Sequence, residues 1–160
     1  MVVVAAMTLH MLFSALPVRS QDEPVAPDRI PKSVMDALHA RFPAALIDTC
    51  TKTREGRDIV YDIEFTQRGR KHEADITEKG RYINFESAIA PNGLPKTVHN
   101  TIQRRYPNAS ITEVMEETET RGKRDVISAY EIVLTTSGGK AVEVRISPKG
   151  KVLEESSIVK

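Results

Sequence analysis

Apolar residues recur four apart at Ile30, Val34 and Leu38, and 64 positions later the spacing returns at Leu94, Val98 and Ile102. Such spacing lines one face of an α-helix, so the pattern predicts two helices with one apolar stripe each. Pro31 and Pro95 suit a first helical turn. Pro43 and Pro107 disfavour helical conformation in Phe42 and Tyr106 before them, so these aromatics should close the helices and plug the core.

Strict alternation follows each helix. Tyr61, Ile63 and Phe65, then His72, Ala74 and Ile76, have counterparts in Tyr130, Ile132 and Leu134, then Val142, Val144 and Ile146. Alternation of this kind predicts strands with one apolar and one polar face. The opposite face carries Asp62, Glu64, Glu73 and Asp75 in the first set, and Glu131, Val133, Glu143 and Arg145 in the second. The turns Thr77 to Arg81 and Ser147 to Lys151 place Gly80 and Gly150 where a positive φ is needed. A short fourth strand should run from Tyr82 to Glu86, and its counterpart from Val152 to Glu155.

These correspondences are a repeat. Ile30 to Ile47 lies on Leu94 to Ile111 without a gap, with seven of 18 positions identical and five more conservative. The offset grows to 69 at Tyr130 and 70 at Gly150, so the second copy has gained residues in its first hairpin. That extra length is the charged run Glu116 to Asp125, read as a hairpin tip, where surface extensions are tolerated and function is often grafted. The fold class expected is α+β: two tandem units, each a helix plus an antiparallel meander (α-β-β-β-β), with helices on one sheet face and the other face open. Residues 30–89 form the first repeat, 90–93 a linker and 94–160 the second repeat. A unit of about 65 residues is near the lower limit for a core without disulfides or metals, so the two copies should share an interface or join into one sheet.

The N-terminal stretch changes where the protein is expected to work. Met1 to Val18 is almost wholly apolar and leads to small residues placed like a cleavage site after Ser20, the pattern of a secretory signal at 1–20. Residues 21–29 would be a polar, Pro-punctuated leader. The protein is therefore expected to be periplasmic or secreted, with no membrane span after signal removal, and no cysteine stands at the cleavage site to carry a lipid anchor. Charge is balanced, 23 Lys and Arg against 22 Asp and Glu, which argues against a nucleic-acid partner. The single cysteine, Cys50, excludes an intramolecular disulfide and aligns with Val114, so it reads as a small buried hydrophobe.

The ordered set Leu94-Pro95, Tyr106-Pro107, Tyr130-Glu131-Ile132, Gly139-Lys140 and Gly150-Lys151 resembles the PepSY-like, β-lactamase-inhibitor-like periplasmic domains. The likeness covers nearly all of residues 30–160. It implies an exported domain whose sheet offers an open, slightly concave surface to another protein, as proteinaceous hydrolase inhibitors do, with no catalytic residues and no cofactor. Thr77 and Ser147 stand where that family's terminal turn commonly opens with Asp, and the disulfides of the inhibitors for which it is named cannot form here. A β-lactamase is thus not the expected partner.

A search for chemistry returns little. His39, His72 and His99 lack metal-pair spacing, and His72 aligns with Val142 as a core-edge residue. Gly138-Gly139-Lys140 lacks the spaced glycines of a phosphate cradle and reads as a hairpin turn. No nucleophile elbow is present, and neither a catalytic residue, a metal nor a cofactor is expected. The function expected is a non-enzymatic protein-binding module, potentially an inhibitor of an envelope or secreted hydrolase. Its partner-binding surface would be the open face with Asp62, Glu64, Glu73, Asp75, Glu131, Val133, Glu143 and Arg145, and the partner another envelope or secreted protein. The alternative is an envelope small-ligand or cation sensor with a site where the two repeats join.

Overall fold

The computed structural model describes residues 23–122 and 124–158. The expected export signal, the expected cleavage site and the first leader residues lie outside that range. The elements run β1 (Glu23–Pro24), α1 (Lys32–Arg41), β2 (Leu46–Glu55), β3 (Asp58–Gln67), β4 (Arg70–Thr77) and β5 (Tyr82–Ala88). They continue with α2 (Lys96–Arg105), β6 (Ser110–Arg121), β7 (Arg124–Thr135), β8 (Ala141–Ile146) and β9 (Val152–Ser157). A 3-10 turn precedes each helix, at Pro27–Arg29 and Pro91–Gly93.

All nine strands form one antiparallel sheet in sequence order. The two repeats join through β5 and β6, which pair from Asn84 opposite Glu119 to Ala88 opposite Met115. The helices end as the prolines require: Phe42 and Tyr106 leave helical dihedrals while their N–H groups still donate to Leu38 and Ile102 carbonyls at 2.7 and 2.8 Å. Both helices cover the same sheet face. Val34, Leu38 and Phe42 pack on Ile63, Phe65, Ala74 and Ile76, and Val98 and Ile102 pack on Ile132, Leu134, Val144 and Ile146. These small cores are fused by strand pairing rather than by a side-chain interface, which answers the size limit on each.

The repeat reaches down to contacts of single atoms. Cys50 pairs with Ile63 as Val114 pairs with Ile132, and each first strand has a bulge at the same place, between Ile47 and Thr49 or Ile111 and Glu113. The β4–β5 and β8–β9 turns dock on the helix starts, where Ser33 Oγ donates to the Glu78 carbonyl and Thr97 Oγ to the Pro148 carbonyl. Gly80 and Gly150 have φ of +79° and +82°, and a Cβ there would stand 2.7 Å from Ser33 O or 2.9 Å from Thr97 O. Glycine is required at both by backbone conformation and by the helix above it.

The run Glu116 to Asp125 lengthens the hairpin as paired strand: β6 and β7 continue through it to the exposed turn at Gly122, and Ser128 is an extra residue in β7 between the pairs Glu117–Ala129 and Thr118–Ile127. The inserted residues lengthen the hairpin and bulge it, because the alternation that would have revealed strands is hidden by charges on both faces. In the leader, Glu23–Pro24 pairs with Lys52 and Thr51 of β2.

Candidate functional site

The helix-free face is fixed by register, since directly opposed residues of an antiparallel pair point the same way. Glu64 lies opposite Glu73, Glu73 opposite Glu86, and Glu86 opposite Glu117. Four glutamates therefore stand side by side across β3, β4, β5 and β6. In the neighbouring row Asp62 lies opposite Asp75, which faces Asn84. Like charges directly opposed destabilise a sheet, so this face departs from what folding alone would choose.

Nothing among the described elements packs over this face, yet its centre is shielded. Met115, Glu117 and Ala129 are only 3 %, 4 % and 0 % exposed, and the carboxylates around them are half-buried. The expectation of a freely solvated charged face is corrected accordingly. Desolvation disfavours ionised carboxylates, and it is the largest cause of each upward carboxylate shift on this face. Burial, reinforced by Asp62 and Glu86, pushes Glu73 up to about 8. Burial, with Glu131 and Glu117, pushes Glu86 up to about 8. Asp75 rises to about 6 through burial and Asp62, partly offset by an Asn84 hydrogen bond, and Glu131 is raised by burial and Glu143.

One glutamate of the ladder is compensated. Arg145 of β8 reaches across β7 to Glu117, with Nε donating to Oε2 at 2.6 Å and Nη2 to Oε1 at 2.7 Å. The bulge residue Ser128 adds its Oγ to the same Oε1 at 2.9 Å. A bidentate guanidinium with a third donor satisfies the lone pairs of a buried carboxylate. Farther out, Lys71 pairs with Glu113 at 3.0 Å and Arg121 with Glu119 at 2.7 Å. Among the described residues no group of three or more His, Cys, Asp or Glu is arranged to hold a metal.

The structure thus brings together all eight residues expected on this face. Asp62, Glu64, Glu73 and Asp75 form its acidic half; Glu131, Glu143 and Arg145 form a mixed-charge half beside Val133, which lies between Glu113 and Glu143. Glu86, Glu117 and Met115 escaped the sequence reading because the pairing of β5 with β6 puts them there. So did Val126, opposite Glu119 and 42 % exposed, the apolar residue that the longer hairpin adds beside the acidic half. The join between repeats, the alternative place for a ligand, is made by the β5–β6 ladder.

The residues outside the face are accounted for by packing. Cys50 is buried, and its thiol is pushed up to about 11 by burial and Asp62. His72 stacks on Phe65, its Nδ1 lies 2.9 Å from Ser87 Oγ, and burial lowers its pKa.

With this geometry in hand, comparison with known proteins is informative. The family model described as "Putative beta-lactamase-inhibitor-like, PepSY-like" matches the chain twice, over residues 17–84 and 59–154. No curated protein matches. Among solved structures, a BLIP-like protein from Bacteroides fragilis aligns with a TM-score of 0.56 at 20 % identity, covering 81 % of this chain and 88 % of that one. A protein from Bacteroides eggerthii described as periplasmic aligns at 0.62 and 17 % identity, covering 80 % and 88 %. At such identities the likeness concerns the fold. No described helix is long and apolar enough to cross a membrane.

Proposed function

Given that the chain belongs to the PepSY-like, beta-lactamase-inhibitor-like family, we propose that it is an exported, non-enzymatic protein-binding module whose partner docks on the helix-free face. The observation that carries this reading is the ladder Glu64–Glu73–Glu86, three directly opposed carboxylates with no cation of the described chain hydrogen-bonded to them. A partner presenting Lys or Arg side chains favours ionisation of Glu73 and Glu86, which burial holds up to about 8, and pairs with them in a site partly desolvated in advance, where charge pairs are stronger. Complementary charge sets orientation and association rate, and contact energy comes from apolar anchors, here Val126 and Val133 at the rim. Inhibition of a hydrolase is the narrower form of the same reading, in which the docked face covers the partner's active site.

The test uses the chain from Gln21 onward as bait for envelope and secreted proteins of its source, beside the triple variant Glu64→Gln, Glu73→Gln, Glu86→Gln. The amides keep shape and cannot ionise, so circular dichroism should be unchanged. One basic protein retained by the parent, released by salt and absent from the variant's eluate is the expected result. Equal retention by both baits sinks the reading, as does retention by neither.

A further inference from the structure

The repeat shows what the sheet's two outer edges would accept. Inside the chain, β5 of the first copy pairs with β6 of the second, and Ile89 N–H continues the ladder to the Val114 carbonyl at 3.0 Å. At the N-terminal edge the same places, 64 residues earlier, are taken by the leader. Glu23 and Pro24 lie opposite Lys52 and Thr51 as Ser87 and Ala88 lie opposite Glu116 and Met115, and Val25 N–H donates to the Cys50 carbonyl at 2.8 Å. β1 is thus a short substitute for a missing β5. At the other edge β9 is the full equivalent of β5: Glu154, Glu155, Ser156 and Ser157 pair with β8 as Asn84, Phe85, Glu86 and Ser87 pair with β4.

We propose that β9 of one copy is the strand that fits the β2 edge of a second copy, and that β1 is the chain's own plug holding that edge in the isolated molecule. In the register of β5 on β6, Ser157 comes opposite Lys52 and Glu155 opposite Arg54. Glu155 already accepts from Arg105 Nε at 3.0 Å, so this side-chain pairing adds little, and Glu154 comes opposite Glu55. The incoming strand gains five rungs, Glu154 to Ile158, where β1 has two. Hydrogen-bonding direction agrees. Ile158 N–H points inward to the Ala141 carbonyl at 3.1 Å, so by alternation the N–H groups of Ser157 and Glu155 point outward, as those of Ser87 and Phe85 do toward β6. The joint is head-to-tail, so each added copy again presents a β9 edge, and assembly has no fixed end unless it closes into a ring. An exposed edge strand is the usual hazard of an open sheet, and a short covering strand is a usual guard.

Sedimentation velocity of three forms tests this: the chain from Gln21, a chain beginning at Ala26 that lacks β1, and the longer chain with Lys52→Glu. The last replaces the cation 2.9 Å from Glu23 with a like charge and loosens the plug without shortening the protein. The parent should be monomeric, and both altered forms should associate progressively with concentration while keeping the parent's circular dichroism. Ser157→Pro removes one outward donor and leaves the β8–β9 bonds intact, so adding it should return both to monomers. Folded but monomeric altered forms overturn the proposal, as does association that Ser157→Pro does not reduce. If the chain from Ala26 fails to fold, the Lys52→Glu pair decides alone.

Discussion

The two halves of the sheet are built on one plan and charged on two. Asp62 and Asp75 face each other in the first repeat where Glu131 and Arg145 do so in the second. Glu64, Glu73 and Glu86 stand in the first where Val133, Glu143 and Ser156 stand in the second. The helix-facing positions at the centre of each core have kept their apolar character, and the exceptions, such as Phe85 against Glu155, lie toward the edges. Packing therefore constrains one face of the repeat, while the other has diverged into an acidic half and a compensated half. Divergence on one face of a duplicated scaffold is what a site grafted onto a fold looks like.

The strongest challenge to this comparison is to ask whether the halves are separable. Leu38→Ala and Ile102→Ala remove corresponding side chains from the two cores, each buried, and each should cost about 2–5 kcal/mol. Because β5 and β6 weld the cores, both variants should lower a single unfolding transition followed by circular dichroism and by calorimetry. Two transitions, one moved by each substitution, would show the halves to be independent.

Next in size is the buried Arg145–Glu117 ion pair of the second half. Arg145→Ala leaves the Glu117 carboxylate buried with Ser128 as its remaining side-chain donor, and at pH 7 this should lower stability by about 3 kcal/mol, the low end for breaking a buried pair because Arg145 is partly exposed. The equivalent change in the first half, Asp75→Ala, should do the opposite and raise the denaturation midpoint at pH 8, since it removes one of two facing carboxylates. Urea titrations of both proteins measure the contrast; the same sign for both would mean the halves are not electrostatically distinct.

How much of this could be read from the chain depends on the range of the interactions involved. Both helices, the glycine turns and the buried series Tyr61-Ile63-Phe65 and Tyr130-Ile132-Leu134 were legible because each is a local period. The eight face residues were legible as the complement of that alternation. Their arrangement into a ladder was not, because Glu86 and Glu117 meet only when β5 pairs with β6 across the whole of α2. Glu117 was hidden a second way: a glutamate in a run of charges reads as solvated, and only the guanidinium of Arg145, 28 residues on, makes its burial tolerable. The leader strand β1 escaped notice for the reason that two residues carry no period.

Acid titration sharpens the comparison further. Glu73 and Glu86 are pushed up to about 8 and Asp75 to about 6 in the folded protein, whereas in the unfolded chain such carboxyls titrate near pH 4. Between those limits the folded state holds protons that the unfolded state has lost, so stability declines as pH rises, from about pH 4 until the folded groups have titrated near pH 8. Thermal melts should show the parent less stable at pH 8 than at pH 5.5. Glu73→Gln with Glu86→Gln should flatten that dependence, whereas Glu143→Gln in the compensated half should leave it nearly intact. A parent whose melting temperature rises over this range would contradict the desolvated ladder.

The smallest effect concerns the longer hairpin, which gives the second repeat a contact with no counterpart in the first. Asp125, near its end, accepts from Arg41 Nη1 at 2.7 Å and from Thr120 Oγ1 at 3.0 Å, and Arg41 in turn lies over the rings of Tyr82 and Phe85. The guanidinium thus clamps the hairpin of one repeat to the helix of the other. Both partners are substantially exposed, so Asp125→Ala should cost no more than about 1 kcal/mol, while Arg41→Ala should cost somewhat more because the stacking on two rings is lost as well. If the clamp only positions the hairpin, global stability will scarcely move, and the change will be local: faster amide exchange confined to residues 118–128 in Asp125→Ala. Uniform acceleration across β2 to β9 would mean instead that the hairpin is part of the weld between the repeats, and the division of the sheet into a shared scaffold and a diverged face would have to be redrawn at this point.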